Sequence, residues 1–347
     1  MIKYIKLNKK YQYVVTLFAI FVLANSVQLF SSCNANGGTP AGTTDSVTTA
    51  SDSLVSIDTA KIPHGKYGDA VKYGRQLMLH TAYYIGPNGV NGHYTGNKMN
   101  CTNCHRDAGT RPYAFNLVRS FKDYPQYRAR EGRILSLAER INNCVMRPNL
   151  GRPLPLDSRE MLSIMAYLKF LSDSSHVDAR TKGLKNMTVE LPDVAASSDH
   201  GEKLYAQHCE RCHAKNGEGK MAFDNVAYQY PPVWGLLAYR PGSSMHRVVK
   251  LAQWLKANMP YDKTTPGTTF LTDAEALDIA AYVNDDKKHQ RPAAKTTKEE
   301  DYPNHEEKAI DYDKGPFKDP FSEQQHKYGP YKPIIDYWEG KGITPVI

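Results

Sequence analysis

The chain has 347 residues, with 44 Lys and Arg against 36 Asp and Glu, a formal charge of +8. Four of those cations, Lys3, Lys6, Lys9 and Lys10, precede an apolar stretch at 14–24 and leave with it on cleavage, so +4 remains. That balance excludes nucleic-acid binding through a domain-wide basic surface. A local excess persists only at 111–152, with nine Arg and Lys against three acids.

The apolar stretch is too short to span a membrane and has the length of a signal-peptide core. Leu29-Phe30-Ser31-Ser32-Cys33 follows, small residues before a lone cysteine, and approximates a bacterial lipoprotein box. Residues 1–32 are therefore expected to be a lipoprotein-type signal peptide. Cys33 would then carry the lipid that tethers the chain to a membrane, on the periplasmic side of the envelope. Plain cleavage and a retained N-terminal anchor are the alternatives. Residues 33–60 are mostly Gly, Ser, Thr and Ala and are expected to form a disordered, flexible tether.

Cys101-Thr102-Asn103-Cys104-His105 and Cys209-Glu210-Arg211-Cys212-His213 repeat one pattern 108 positions apart. In such a motif the two thiols add across porphyrin vinyl groups and the histidine binds the iron from one side. A single copy could be half a zinc site or a redox pair. Two copies, each after a short helical segment in an exported chain, point to two covalently bound haem c groups. Their four propionates bring the mature holoprotein close to neutral. Four of the six cysteines are thus taken and Cys33 is the lipid candidate. Cys144 is left alone, so there is no disulfide framework.

Both motifs have similar surroundings. A helix is expected before each, at 69–85 and 199–207, and an amphipathic helix ends each unit. The first of these, at 158–171, carries Met161, Ile164, Met165, Leu168 and Leu171 at helical spacing after Asp157 or Ser158 as cap. The second opens on the capping box Thr272-Asp273-Ala274-Glu275, then presents Leu277, Ala280, Ala281 and Val283. This plan resembles the class I cytochrome c fold, which implies that the two terminal helices of each unit cross beside the haem. The expected fold is mainly α: two class I cytochrome c-like domains in tandem, at 61–175 and 199–286, each with one covalent haem c. A polar linker at 176–198 joins them. Residues 287–347, rich in Lys, Pro, Tyr and Asp, are expected to be an extended tail wrapped on the surface, with a docking segment for a partner as the alternative.

Each haem iron has a sixth ligand or an open position. In the second unit Met259-Pro260 follows an amphipathic helix at 246–258, 46 residues after His213. A thioether there raises the haem potential. Met245 is the rival, and for either methionine the plainer role is core packing. In the first unit the candidate is Cys144, 39 residues after His105. A lone cysteine near the apolar face of Ile134, Leu137, Ala138, Ile141 and Val145 is most often inert and buried. Arg140 and Arg147 flank it, however, and cationic neighbours favour a thiolate. Met146 is the fallback ligand.

Several runs carry a more specific likeness. In the first unit they are Asn103-Cys104-His105 followed by Asp107-Ala108-Gly109-Thr110, Tyr127-Arg128-Ala129-Arg130-Glu131-Gly132-Arg133-Ile134, and Arg140-Ile141-Asn142 with Cys144. Gly151-Arg152-Pro153-Leu154-Pro155 and Ser158-Arg159-Glu160-Met161 continue it. In the second unit they are Tyr230-Pro231-Pro232-Val233-Trp234-Gly235 and Lys256-Ala257-Asn258-Met259-Pro260. Together they closely resemble the bacterial dihaem thiosulfate dehydrogenase (tetrathionate reductase) family, over residues 65–285. The resemblance implies His105/Cys144 at the first haem and His213/Met259 at the second. It also implies thiosulfate and tetrathionate as substrates and an external cytochrome or oxidase as electron carrier. Two departures stand out. Pro148-Asn149-Leu150-Gly151 follows Arg147 where the family commonly has Ser then Met-Asn-Gly, and Met245 aligns with a Lys of some relatives.

Joining two thiosulfates brings two dianions together. At 4 Å they repel by roughly 4 kcal/mol even in water. Such a site must be cationic, and Arg128, Arg130, Arg133, Arg147 and Arg152 are the candidates. Arg130, Arg133 and Arg147 are expected to hold substrate, with Cys144 as the reacting sulfur. The competing expectation is a non-catalytic dihaem electron carrier, in which Cys144 is inert.

Overall fold

The computed structural model describes residues 58–175, 177–293, 307–311 and 317–347. The expected signal peptide, Cys33 and nearly all of the expected tether lie outside these residues. Among the described residues no helix is long and apolar enough to cross a membrane.

The first unit opens with α1 (Lys66–Leu79) and α2 (Thr81–Ile85), where one continuous helix was expected; His80 separates them. The haem motif at 101–105 follows. A short antiparallel hairpin of β1 (Gln126–Arg128) and β2 (Arg133–Leu135) sets Tyr127 opposite Ile134. It leads into α3 (Leu137–Met146) and then α4 (Arg159–Ser174). Helix α3 starts at Ser136, whose side chain accepts from the Glu139 amide while Glu139 accepts from the Ser136 amide, a reciprocal cap. Ser158 caps α4 through the Met161 amide.

The second unit repeats the plan with α5 (Ser198–His208), a minimal hairpin of β3 (Lys220–Met221) and β4 (Tyr228–Tyr230), α6 (Val248–Asn258) and α7 (Asp273–Val283). Thr272 and Glu275 form the capping box read from the sequence.

The same device crosses the terminal helices in both units. A Cβ on Gly74 of α1 would lie 1.9 Å from the Ser163 carbonyl oxygen and 2.9 Å from Tyr167 Cβ of α4. A Cβ on Gly201 of α5 would lie 1.9 Å from the Asp278 oxygen and 2.9 Å from Tyr282 Cβ of α7. Each glycine lets two backbones touch, and each tyrosine, four residues beyond the contact, roofs the crossing. Around the crossings lie two cores. One gathers Val71, Leu77, Met161, Ile164, Leu168 and Leu171, the other Leu204, Val248, Leu251, Trp254, Leu277 and Ile279.

The C-terminal segment does lie against the second unit, but not as an extended tail throughout. Residues α8 (Glu323–Tyr328) and α9 (Lys332–Glu339) are helical, with Ile334 and Trp338 one turn apart on a buried face. That four-residue spacing in a Tyr- and Lys-rich stretch is the apolar signal that composition concealed. Asp319, whose side chain is fully buried, accepts from Lys308 Nζ (3.0 Å), His326 Nε2 (2.9 Å) and Trp338 Nε1 (2.8 Å). Burial alone would raise its carboxyl, but these three donors hold it below the usual carboxylate range.

Gly201→Ala is expected to force α5 and α7 apart and to destabilise the second unit by about 1–3 kcal/mol. Chemical denaturation of the holoprotein, followed by far-ultraviolet circular dichroism, measures this.

Candidate active site

Both motif histidines are aimed by their own backbone surroundings. His105 Nδ1 lies 2.6 Å from the Phe115 carbonyl oxygen and His213 Nδ1 lies 2.8 Å from that of Pro231. Such a bond places the proton on Nδ1 and leaves Nε2 as a lone-pair donor, the tautomer a metal requires. Burial also lowers the His213 pKa, keeping the ring neutral.

Each motif borders a cavity. Cys209, Cys212 and His213 line one of about 390 Å³, together with Trp254, Ile279 and Met259. Cys101 and His105 line another of about 580 Å³, walled by Ile85, Leu137, Val145, Ile164 and Leu168, with Cys144 also on its lining. Leu184 and Lys185 of the linker close part of it. Apolar walls, motif cysteines and a pre-aimed imidazole suit a covalently attached haem in both. Met259 and Met245 both reach the second cavity, so neither is set aside by position.

Cys144 faces a third space, of about 420 Å³, that adjoins the first haem seat and shares His105, Phe115, Arg128, Arg140, Cys144 and Lys250 with it. Arg140 Nη1 lies 3.1 Å from Cys144 Sγ. Burial alone would push this thiol up, but the Arg140 guanidinium and the His105 imidazole bring it down to about 6. Burial raises Cys101 to about 11 and Cys104 and Cys209 to about 12. As free thiols those three favour the protonated form at neutral pH, whereas the lowered Cys144 favours the thiolate.

The arginines divide. Arg128, Arg130 and Arg147 line the space in front of Cys144. Arg130 Nη2 donates to the Gly242 carbonyl at 2.5 Å, and Arg147 pairs with Glu131 at 3.4 Å. Arg133 does not join them. Its side chain is 57 % exposed on β2 and pairs with Glu139 at 2.6 Å, drawn off by the acid that caps α3. Arg152 is also elsewhere, over the Tyr94 ring and bonded to the His93 carbonyl. Sequence reasoning missed the second unit's contribution. Arg247 and Lys250, at the start of α6, line the same space. Burial, reinforced by Arg247, lowers the Lys250 amine to about 8. A lysine between Val249 and Leu251, in a helix otherwise buried nearly all round, was the available signal.

Comparison with known proteins bears on this arrangement. Residues 93–177 match the domain family described as SoxA/TsdA, cytochrome c domain, and residues 198–287 match the cytochrome c family. Thiosulfate dehydrogenase of Psychrobacter arcticus is 34% identical over 247 residues, 71% of this chain and 71% of that protein. The chain belongs to the thiosulfate dehydrogenase family. The enzymes so named from Stutzerimonas stutzeri (32% over 231 residues) and Allochromatium vinosum (33% over 240 residues) cover 67% of this chain and 70% and 82% of their own. The solved thiosulfate dehydrogenase TsdBA of Marichromatium purpuratum superposes with a TM-score of 0.61 at 29% identity. It covers 69% of this chain, which spans half the length of that one. The two cytochrome c domains of this family member carry two covalently bound haem c groups.

Replacing Cys101 and Cys104 together with Ala is therefore expected to halve the haem content, from two per chain to one, in a pyridine haemochrome assay against protein concentration.

Proposed function

We propose that this dihaem cytochrome interconverts thiosulfate and tetrathionate at Cys144 and exchanges two electrons with an external cytochrome or oxidase. The observation that carries the reading is the Arg140–Cys144 pair: a thiolate in a cavity of cations, beside a haem seat. Homologues named thiosulfate dehydrogenase support the substrate class. In this reading His105 and Cys144 would hold the iron of the first haem, and His213 and Met259 that of the second. Arg128, Arg130 and Arg147, with Lys250 from the second unit, hold the anions; Arg133 has no part in binding. The chain sits on the periplasmic side of the envelope, held by lipid at Cys33.

The chemistry follows from charge and sulfur. The cations offset the repulsion of two dianions, and guanidinium forks match sulfonate oxygens. The Cys144 thiolate and the terminal sulfur of one thiosulfate form an S–S bond as two electrons leave, giving Cys144–S–S–SO3⁻. A second thiosulfate attacks the sulfur bearing the sulfonate, so tetrathionate departs and the Cys144 thiolate is restored. No proton moves. A low thiol pKa serves the second step, because the better leaving thiolate leaves faster. Bound haems would take the two electrons, one apiece, and Cys104 and Met245 border both the Cys144 space and the second seat.

Cys144→Gly is expected to abolish thiosulfate-dependent ferricyanide reduction while both haems remain attached; turnover retained in that variant would sink the proposal. Electron paramagnetic resonance of the oxidised wild type should show one low-spin His/thiolate centre, which Cys144→Gly removes. A pure electron carrier would show only His/Met-type centres. Arg140→Met removes a charge-assisted bond and should lower kcat about ten- to a hundredfold with little change in haem content.

A further inference from the structure

We propose that the C-terminal strap, residues 307–311 with 343–347, forms one wall of the substrate space and restricts it to small sulfur oxyanions. Glu307, Ala309, Val346 and Ile347 line the space that also holds Cys144 and Arg140. The inference rests on the reading of that space as the thiosulfate site.

The strap is held from behind by strong interactions. A parallel bridge joins Ala309 to Val346, with Ile310 N to Val346 O at 2.9 Å and Val346 N to Lys308 O at 2.7 Å. Lys308 is anchored on Asp319, and Ile310 is fully buried in the second core. Asp311 takes both ends of the Arg247 fork at 2.5 Å, which ties the strap to the start of α6 beside Lys250. A segment fixed at 308, 310 and 311 has little freedom at 307 and 309.

The side chains turned toward the space have no such structural reason to be there. Val346 is 40% and Ile347 37% exposed, so they contribute little to the core. Both are apolar, yet they stand at the rim of a space to which five arginines and a lysine contribute. Apolar side chains offer an anion no hydrogen bond; what they supply is bulk. A thiosulfate needs only its sulfonate held and its terminal sulfur aimed at Cys144. A thiosulfonate of the form R–SO2–S⁻ presents the same reacting sulfur with an organic group where thiosulfate has an oxygen, and that group has to find room.

The test uses holoprotein with ferricyanide and compares thiosulfate with benzenethiosulfonate. Two of either anion join through their terminal sulfurs and release two electrons, so one assay serves both. Val346→Ala should raise the ratio of kcat/KM, benzenethiosulfonate over thiosulfate, about tenfold, and Val346→Trp should lower it by a similar factor. Both leave the bridging backbone groups in place. Calorimetric titration in a Cys144→Gly background, where nothing turns over, should show the two substitutions moving the benzenethiosulfonate affinity in opposite directions. Ratios and affinities unchanged across the three chains, with thiosulfate still oxidised, overturn the wall and leave the site reading intact. Failure of wild-type protein to oxidise thiosulfate overturns that reading, and this inference with it.

Discussion

The contact between the Arg140 guanidinium and the Cys144 sulfur is the interaction on which the site depends. The two residues are one turn apart on α3, so the helix itself brings them together. The Ser136–Glu139 cap sets where α3 begins. Asn142, buried on the helix, donates to the Leu154 carbonyl at 2.9 Å and accepts from the Leu154 amide at 2.8 Å. That double bond fixes α3 against the loop entering α4, hence against the wall of the haem seat. A thiol lowered in an apolar seat requires a cation that cannot lose its proton. Arginine meets that condition, whereas burial lowers a lysine amine toward neutrality, as it does that of Lys250.

Gathering cations around one sulfur costs energy in the empty site, and the structure distributes that cost. Arg147 is shared with Glu131, which also accepts from Asn143 at 3.0 Å. Arg247 is matched by Asp311 and Arg130 by a backbone carbonyl. These partners hold the guanidinium planes without cancelling all the charge. The second unit is thus part of the space in front of Cys144 as well as a seat for the second haem. Trp254 Nε1 bonds to the Cys104 carbonyl and Arg106 Nη1 to the Asn258 carbonyl, each at 3.1 Å, joining the first motif to α6.

Much of this was legible in the sequence because it is written in local patterns. The two motifs, the Thr272 box and the spacing of Met161, Ile164 and Leu168 each depend on residues within a few turns. The Gly74 and Gly201 crossings, whose partners lie some eighty to ninety residues away, came only through resemblance to a fold. Arg133 shows the limit from the other side. In sequence it resembles Arg130, yet the hairpin turns it outward, where Glu139 captures it. Lys250 and the strap were hidden because they reach the site from the other unit and from the far end of the chain. Composition also misled at 323–339, where Ile334 and Trp338 give a short helix a buried face within a polar stretch.

Position 245 shows why two seats built this closely are not independent. Met245 is buried, its carbonyl accepts from Asn284 at 2.9 Å, and its side chain borders both the second haem seat and the space in front of Cys144. A lysine at this place would set a charge between the two. Methionine keeps the partition apolar. The cationic field in front of Cys144 then comes from Arg128, Arg130, Arg140, Arg147, Arg247 and Lys250, all arranged around one sulfur. The charge facing Cys144 is thereby kept apart from the second seat, where a methionine thioether and an apolar wall would favour the reduced state of a bound haem.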